Sequence, residues 1–77
     1  MWIDEIKEGK TYAYSCGSWQ CKILVLKHYG KRIECIIPTE LDENGQRKSC
    51  DMGMRKGLNE IECERYVKFE IPSQTGN

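Results

Sequence analysis

Turn-forming residues cut this chain into segments too short for anything but strands or single helical turns, and that punctuation limits the fold more than any other feature. Gly9 closes a short lead-in, residues 2–6, that reads as one turn of helix or an extended entry. Thr11–Cys16 then alternates, with Tyr12, Tyr14 and Cys16 on one face and small residues on the other, the period-2 signature of a strand. Gly17-Ser18 is a turn signal, and Trp19–His28, rich in Ile, Leu and Val, is the second predicted strand. Gly30-Lys31 suits a two-residue Gly-X turn, because glycine tolerates the positive φ required there. Residues 32–38 form the third strand, in a register that sets Lys27 opposite Glu34 and places Leu24 and Leu26 on one face with Cys35 and Ile37.

A second hairpin is predicted at Asn44-Gly45, a strong type I′ signal. Closing the chain there pairs Asp42 with Arg47, Thr39 with Cys50 and Ile37 with Met52. The expected core is therefore Leu24, Cys35, Ile37, Cys50 and Met52. Pro38 implies a bend or bulge, since it lacks an amide donor. Residues 53–60 read as a loop or a single short helical turn. Residues 61–71 read as a last strand, with Ile61, Cys63, Val67, Phe69 and Ile71 facing in. Arg65 breaks that pattern. The expected fold is mostly β, a small five-stranded barrel with room for a short helical turn. Residues 1–71 form one domain, and residues 72–77 a disordered tail.

The segment Gly9-Lys10-Thr11-Tyr12 and the later Arg47-Lys48-Ser49-Cys50 flank a hydrophobic hairpin. In this the chain resembles small Src-homology-3-like barrels and, more narrowly, uncharacterised small early proteins of phages, across about residues 6–71. It departs from them in its long 51–60 segment and its ending. The resemblance implies a fold and a phage origin, but no activity and no functional residues, because such barrels host unrelated functions.

Composition narrows the function. With 77 residues the chain has room for one domain and little for a deep substrate cleft. Twelve basic and twelve acidic residues cancel, so no overall field recruits nucleic acid or anionic membrane. The longest apolar run, residues 23–26, is far short of the roughly 20 residues of a membrane helix. Acids stand near the start, where a signal peptide carries bases, so the chain reads as cytoplasmic and without membrane attachment.

Cys16, Cys21, Cys35, Cys50 and Cys63 lack the short-spaced ligand pairs of structural zinc sites. A composite site of Cys16, Cys21, Cys50 or Cys63 with His28 is the metal alternative, but reduced thiols used as small core hydrophobes fit better. His28, the lone histidine, has no spacing that ties it to a thiol nucleophile and reads as a solvated surface group. Gly-Met-Arg-Lys-Gly at 53–57 is not a phosphate loop. The chain thus reads as a non-enzyme with no cofactor and no metal.

What remains is surface. Residues 22–32 hold Lys22, Lys27, Lys31 and Arg32 with His28 and Tyr29 and no acid. Arg47 and Lys48 join them from the next hairpin, and Trp19 adds a large ring. The candidate binding residues are accordingly Trp19, Lys27, His28, Tyr29, Lys31, Arg32, Arg47 and Lys48. Aromatics beside arginine are typical of protein–protein hot spots. The first expectation is thus a protein-binding module, such as a phage-encoded inhibitor or adaptor acting on a host protein, monomeric or a weak homodimer. The alternative is an RNA- or DNA-binding barrel that uses its basic hairpins.

Overall fold

The computed structural model describes residues 1–37, 43 and 53–72. A single turn of 3-10 helix over Ile3–Glu5 leads into β1 (Thr11–Cys16), β2 (Trp19–His28) and β3 (Arg32–Ile37). These are followed by β4 (Met54–Asn59), the helix α1 (Glu60–Tyr66) and β5 (Val67–Ile71). All five strands lie in one antiparallel sheet, in the order β4-β3-β2-β1-β5. The mostly-β expectation therefore holds. Among the described residues the sheet is open, with no ladder between β4 and β5, and α1 connects these two edges.

The first three strands begin and end at the predicted turns. Tyr29 N–H donates to the Arg32 carbonyl at 2.8 Å across the tip. Gly30 there has φ +88° and Lys31 is not left-handed, the pattern of a Gly-X turn. Lys27 does stand opposite Glu34, as expected, but the faces beyond it differ. Leu26 is an extra residue in β2, so Val25 rather than Leu26 pairs with Cys35, and Leu24 pairs with Ile36. This bulge turns the rest of β2 over. Cys21, Ile23 and Val25 are buried, whereas Leu24, expected in the core, is 39% exposed on the opposite face.

Two further corrections concern the second half. Residues 53–60 are not a loop: β4 pairs with β3 throughout, Ile33 with Leu58 and Ile37 with Met54 rather than with Met52. Only Leu58 of this strand is buried, which left no alternation to read. The predicted strand over residues 61–71 is instead α1 followed by β5. Asn59 caps the helix, accepting from Glu62 N–H at 2.9 Å while Glu62 Oε1 accepts from Asn59 N–H at 3.0 Å, a reciprocal capping box. Ile61 is exposed, and Phe69 lies on the outer face opposite Ala13. The Asn44-Gly45 hairpin, Cys50, Met52 and the tail 73–77 lie outside the described residues.

One side of the sheet carries the core. Tyr12, Tyr14, Ile23, Val25, Ile33, Cys35, Ile37, Leu58 and Val67 are buried there beneath Ile3, Ile6 and Cys63. No helix among the described residues is long and apolar enough to cross a membrane. The register makes a sharp contrast testable. Ile23→Ala should cost about 2–5 kcal/mol in a urea unfolding titration. Leu24→Ala should cost less than about 1 kcal/mol; a cost as large as that of Ile23→Ala would mean that Leu24 is buried and not on the outer face.

Candidate functional site

The side of the sheet opposite the core is not covered by any described element. Alternation and register place on it Thr11, Ala13 and Ser15 from β1, Gln20, Lys22, Leu24 and Lys27 from β2, and Glu34 and Ile36 from β3. Arg55 and Gly57 come from β4, and Phe69 and Ile71 from β5. One row across the sheet runs Ile71, Thr11, Leu24, Ile36, Arg55. Phe69 is 59% exposed, and Ile36, Ile71 and Ala13 are half-buried.

Charge separates by side. Glu34 is the only acid at a described strand position of this face, and Arg55 holds it at 3.6 Å, while Lys27 stands opposite. The exposed Arg55–Glu34 pair adds little stability. The acids Asp4, Glu5, Glu60, Glu62 and Glu64 belong to the 3-10 turn and α1, which pack on the core side. Among the described residues the open face is in this way mainly basic, and the 3-10 turn and α1 behind it mainly acidic.

The predicted hairpin-tip residues do come together. Tyr29 is 56% exposed, and the Arg32 guanidinium lies 5.2 Å from its ring centroid, a cation–π contact. The Arg32 stem runs across Gly57, where a Cβ would meet its Cδ at 3.5 Å. Lys27 and Lys31 are exposed beside them. His28 is not a solvated surface group. Gly30 N–H donates to its Nδ1 at 3.1 Å, so Nδ1 carries no proton and Nε2–H donates to the Ile3 carbonyl at 2.8 Å. Its backbone N–H also donates to Glu8 Oε2 at 2.8 Å. His28 therefore ties the tip to the amino-terminal turn and positions its neighbours.

Trp19 is elsewhere. It begins β2, roughly 30 Å along the strand from the tip, and packs edge-on against Tyr14 at 5.9 Å. It belongs to the margin of the core. Arg47 and Lys48 lie outside the described residues. Phe69, Leu24, Ile36 and Ile71 were missed as surface candidates. Ile36 follows from alternation between Cys35 and Ile37, but the outward placement of Leu24, Phe69 and Ile71 goes with the bulges, and a bulge leaves no mark in an alternation pattern.

The described cysteines lie in the core or at its margin. Cys21, Cys35 and Cys63 are buried free thiols, and Cys16 is half-buried. Burial pushes the Cys21 and Cys63 thiols up to about 11. Burial, with Cys63 and Cys21 adding to it, pushes Cys35 up to about 12. Cys35 Sγ also donates to the Lys56 carbonyl at 3.5 Å. A thiol held protonated is a poor nucleophile and a poor metal ligand.

Compared with protein-family models, curated proteins and solved structures, the chain matches none.

Two outcomes follow from this chemistry. Cys21, Cys35 and Cys63 titrate near 9.0 when exposed and near 11 to 12 when folded, so unfolding releases protons between those values. Stability should be complete below pH 9 and decline as pH rises through 11, a fall that Cys35→Ala makes shallower. His28→Phe removes both ring hydrogen bonds and should cost about 1–2 kcal/mol in urea titration. No change would mean that His28 does not hold the tip.

Proposed function

We propose that this protein is a non-enzymatic protein-binding module, of the inhibitor or adaptor kind, whose contact surface is the open sheet face with the β2–β3 tip at its end. The observation that carries this reading is the apolar row of Ile71, Leu24 and Ile36, with Phe69 beside it, on the side of the sheet away from the core. A strand face that alternates against a core ordinarily turns polar residues to water. Apolar side chains gathered there instead gain about 25 cal/mol for each Å² that a partner removes from water. The flanking bases, and Tyr29 with Arg32, supply a polar rim and the residue types that dominate interface energetics.

A second reading rests on the tip itself. Lys27, Lys31, Arg32 and Tyr29 would suit a nucleic-acid backbone with one stacked base. The aliphatic row favours protein, because Leu and Ile offer no stacking platform.

A photo-reactive phenylalanine analogue placed at Leu24 or Lys27, and for comparison at Glu64 on the helix side, separates these possibilities. A protein should be captured in cells from the two sheet-face positions and not from position 64. Leu24→Asp should weaken binding of the captured protein about tenfold or more, equivalent to about 1.4 kcal/mol, without shifting the unfolding midpoint. Capture from position 64 alone would discard the sheet face. Capture of nucleic acid, with affinity falling steeply in salt, would favour the second reading.

A further inference from the structure

Beside the apolar row, at the end of the sheet away from the β2–β3 tip, a groove of about 380 Å³ opens between β2, β1 and β5. Ser15, Gln20, Lys22, Lys68, Phe69 and Ile71 are among the residues that line it. Lys68 and Phe69 are consecutive, yet both line it. A regular strand sends neighbouring side chains to opposite faces. Here Ala13 pairs with Phe69 while Tyr14 pairs with Val67, so Lys68 is the extra residue of a bulge and is free of the alternation. The bulge thus sets a cation next to an aromatic wall. Lys68 Nζ donates to the Arg65 carbonyl of α1 at 2.6 Å, which leaves its other two ammonium protons for an acceptor. Lys22, opposite Ala13, supplies a second cation from the other bank.

We infer that this groove seats an acidic protein segment through one large apolar side chain, held against Phe69, with a neighbouring carboxylate between Lys22 and Lys68. The inference rests on the protein-binding reading above and names the chemistry of the partner. Charge complementarity selects that partner. Among the described strand positions of this face the one acid is Glu34, already held by Arg55, so a basic segment docking there meets lysines rather than a free carboxylate. A second copy of this chain docked face to face would bring like charges together. A nucleotide stacked on Phe69 would satisfy the lysines, but Ile71 also lines the groove, with Leu24 beyond Thr11 in the same row, and these bury aliphatic side chains and do not stack on bases.

The test uses the whole protein, labelled with nitrogen-15, and four probes. These are a short blocked peptide with one phenylalanine among glutamates and aspartates, the same peptide with serine for phenylalanine, the same with lysines for the acids, and oligo-thymidine. The acidic phenylalanine peptide should shift the amides of Ala13, Ser15, Lys22 and Phe69. The serine and lysine versions should bind at least about tenfold more weakly. Phe69→Ala and Lys22→Glu, both at exposed positions, should each reduce the first peptide's affinity by about tenfold. The inference is overturned if that peptide leaves the groove amides unmoved, if oligo-thymidine alone moves them, or if they move only with rising concentration of the protein itself. A captured partner lost by Leu24→Asp but retained by the Phe69→Ala, Lys22→Glu double variant would also overturn it, and would leave the sheet-face reading standing.

Discussion

The strand β2 has to hold two ladders together, and the extra residue at Leu26 sets what each face of the sheet carries. Its first part must bury Cys21, Ile23 and Val25 beside Tyr12 and Tyr14, while its end must bring His28 over to meet Ile33. A strict alternation from Val25 would turn Lys27 inward and His28 outward. The bulge at Leu26 reverses this: Lys27 goes to the open face opposite Glu34, and His28 turns to reach the Ile3 carbonyl. The amino-terminal turn, the basic tip and the core register all rest on that one inserted residue.

A second bulge, at Lys68, has the same effect on the opposite side of the sheet. Without it Lys68 and Phe69 would face opposite ways, and the groove beside β1 would lose either its cation or its ring. Both irregularities sit where the open face changes chemical character, from aliphatic at its centre to basic at either end. The core beneath is conventional by comparison. Its tyrosines and thiols are sealed: burial raises Tyr14 to about 12, and Tyr12 Oη accepts from Lys7 N–H at 2.7 Å.

How far the sequence was legible follows from what each element had to signal. β1, β2 and β3 were readable because Gly9, Gly17 and Gly30, all with positive φ, mark their limits. β4 was hidden because only Leu58 is buried, so Met54–Asn59 shows no period. α1 was read as strand because Ile61 and Cys63 happen to alternate. Two signals favoured the helix: Asn59 three residues before Glu62, and the spacing of Cys63, Tyr66 and Val67, which suits one helical face. Of the candidate site, the tip residues Lys27, Tyr29, Lys31 and Arg32 were legible as a cluster with no acid. Leu24 and Phe69 were not, because a bulge exchanges faces without changing composition.

The strand order also carries a consequence for how the chain assembles. β1, β2 and β3 are joined by tight turns and can zip from neighbour to neighbour, each step closing a small loop. β5 must come back from beyond β4 to lie against β1, Thr11 beside Ile71, and the amino nitrogen of Met1 reaches across to the Cys63, Glu64 and Val67 carbonyls at the end of α1. Such a closure forfeits more chain entropy than any turn in the meander. Val67, fully buried against Tyr14, is the apolar contact that offsets it. The groove at Phe69 is built on this last seam, so it comes into being only when the chain's two distant ends have met.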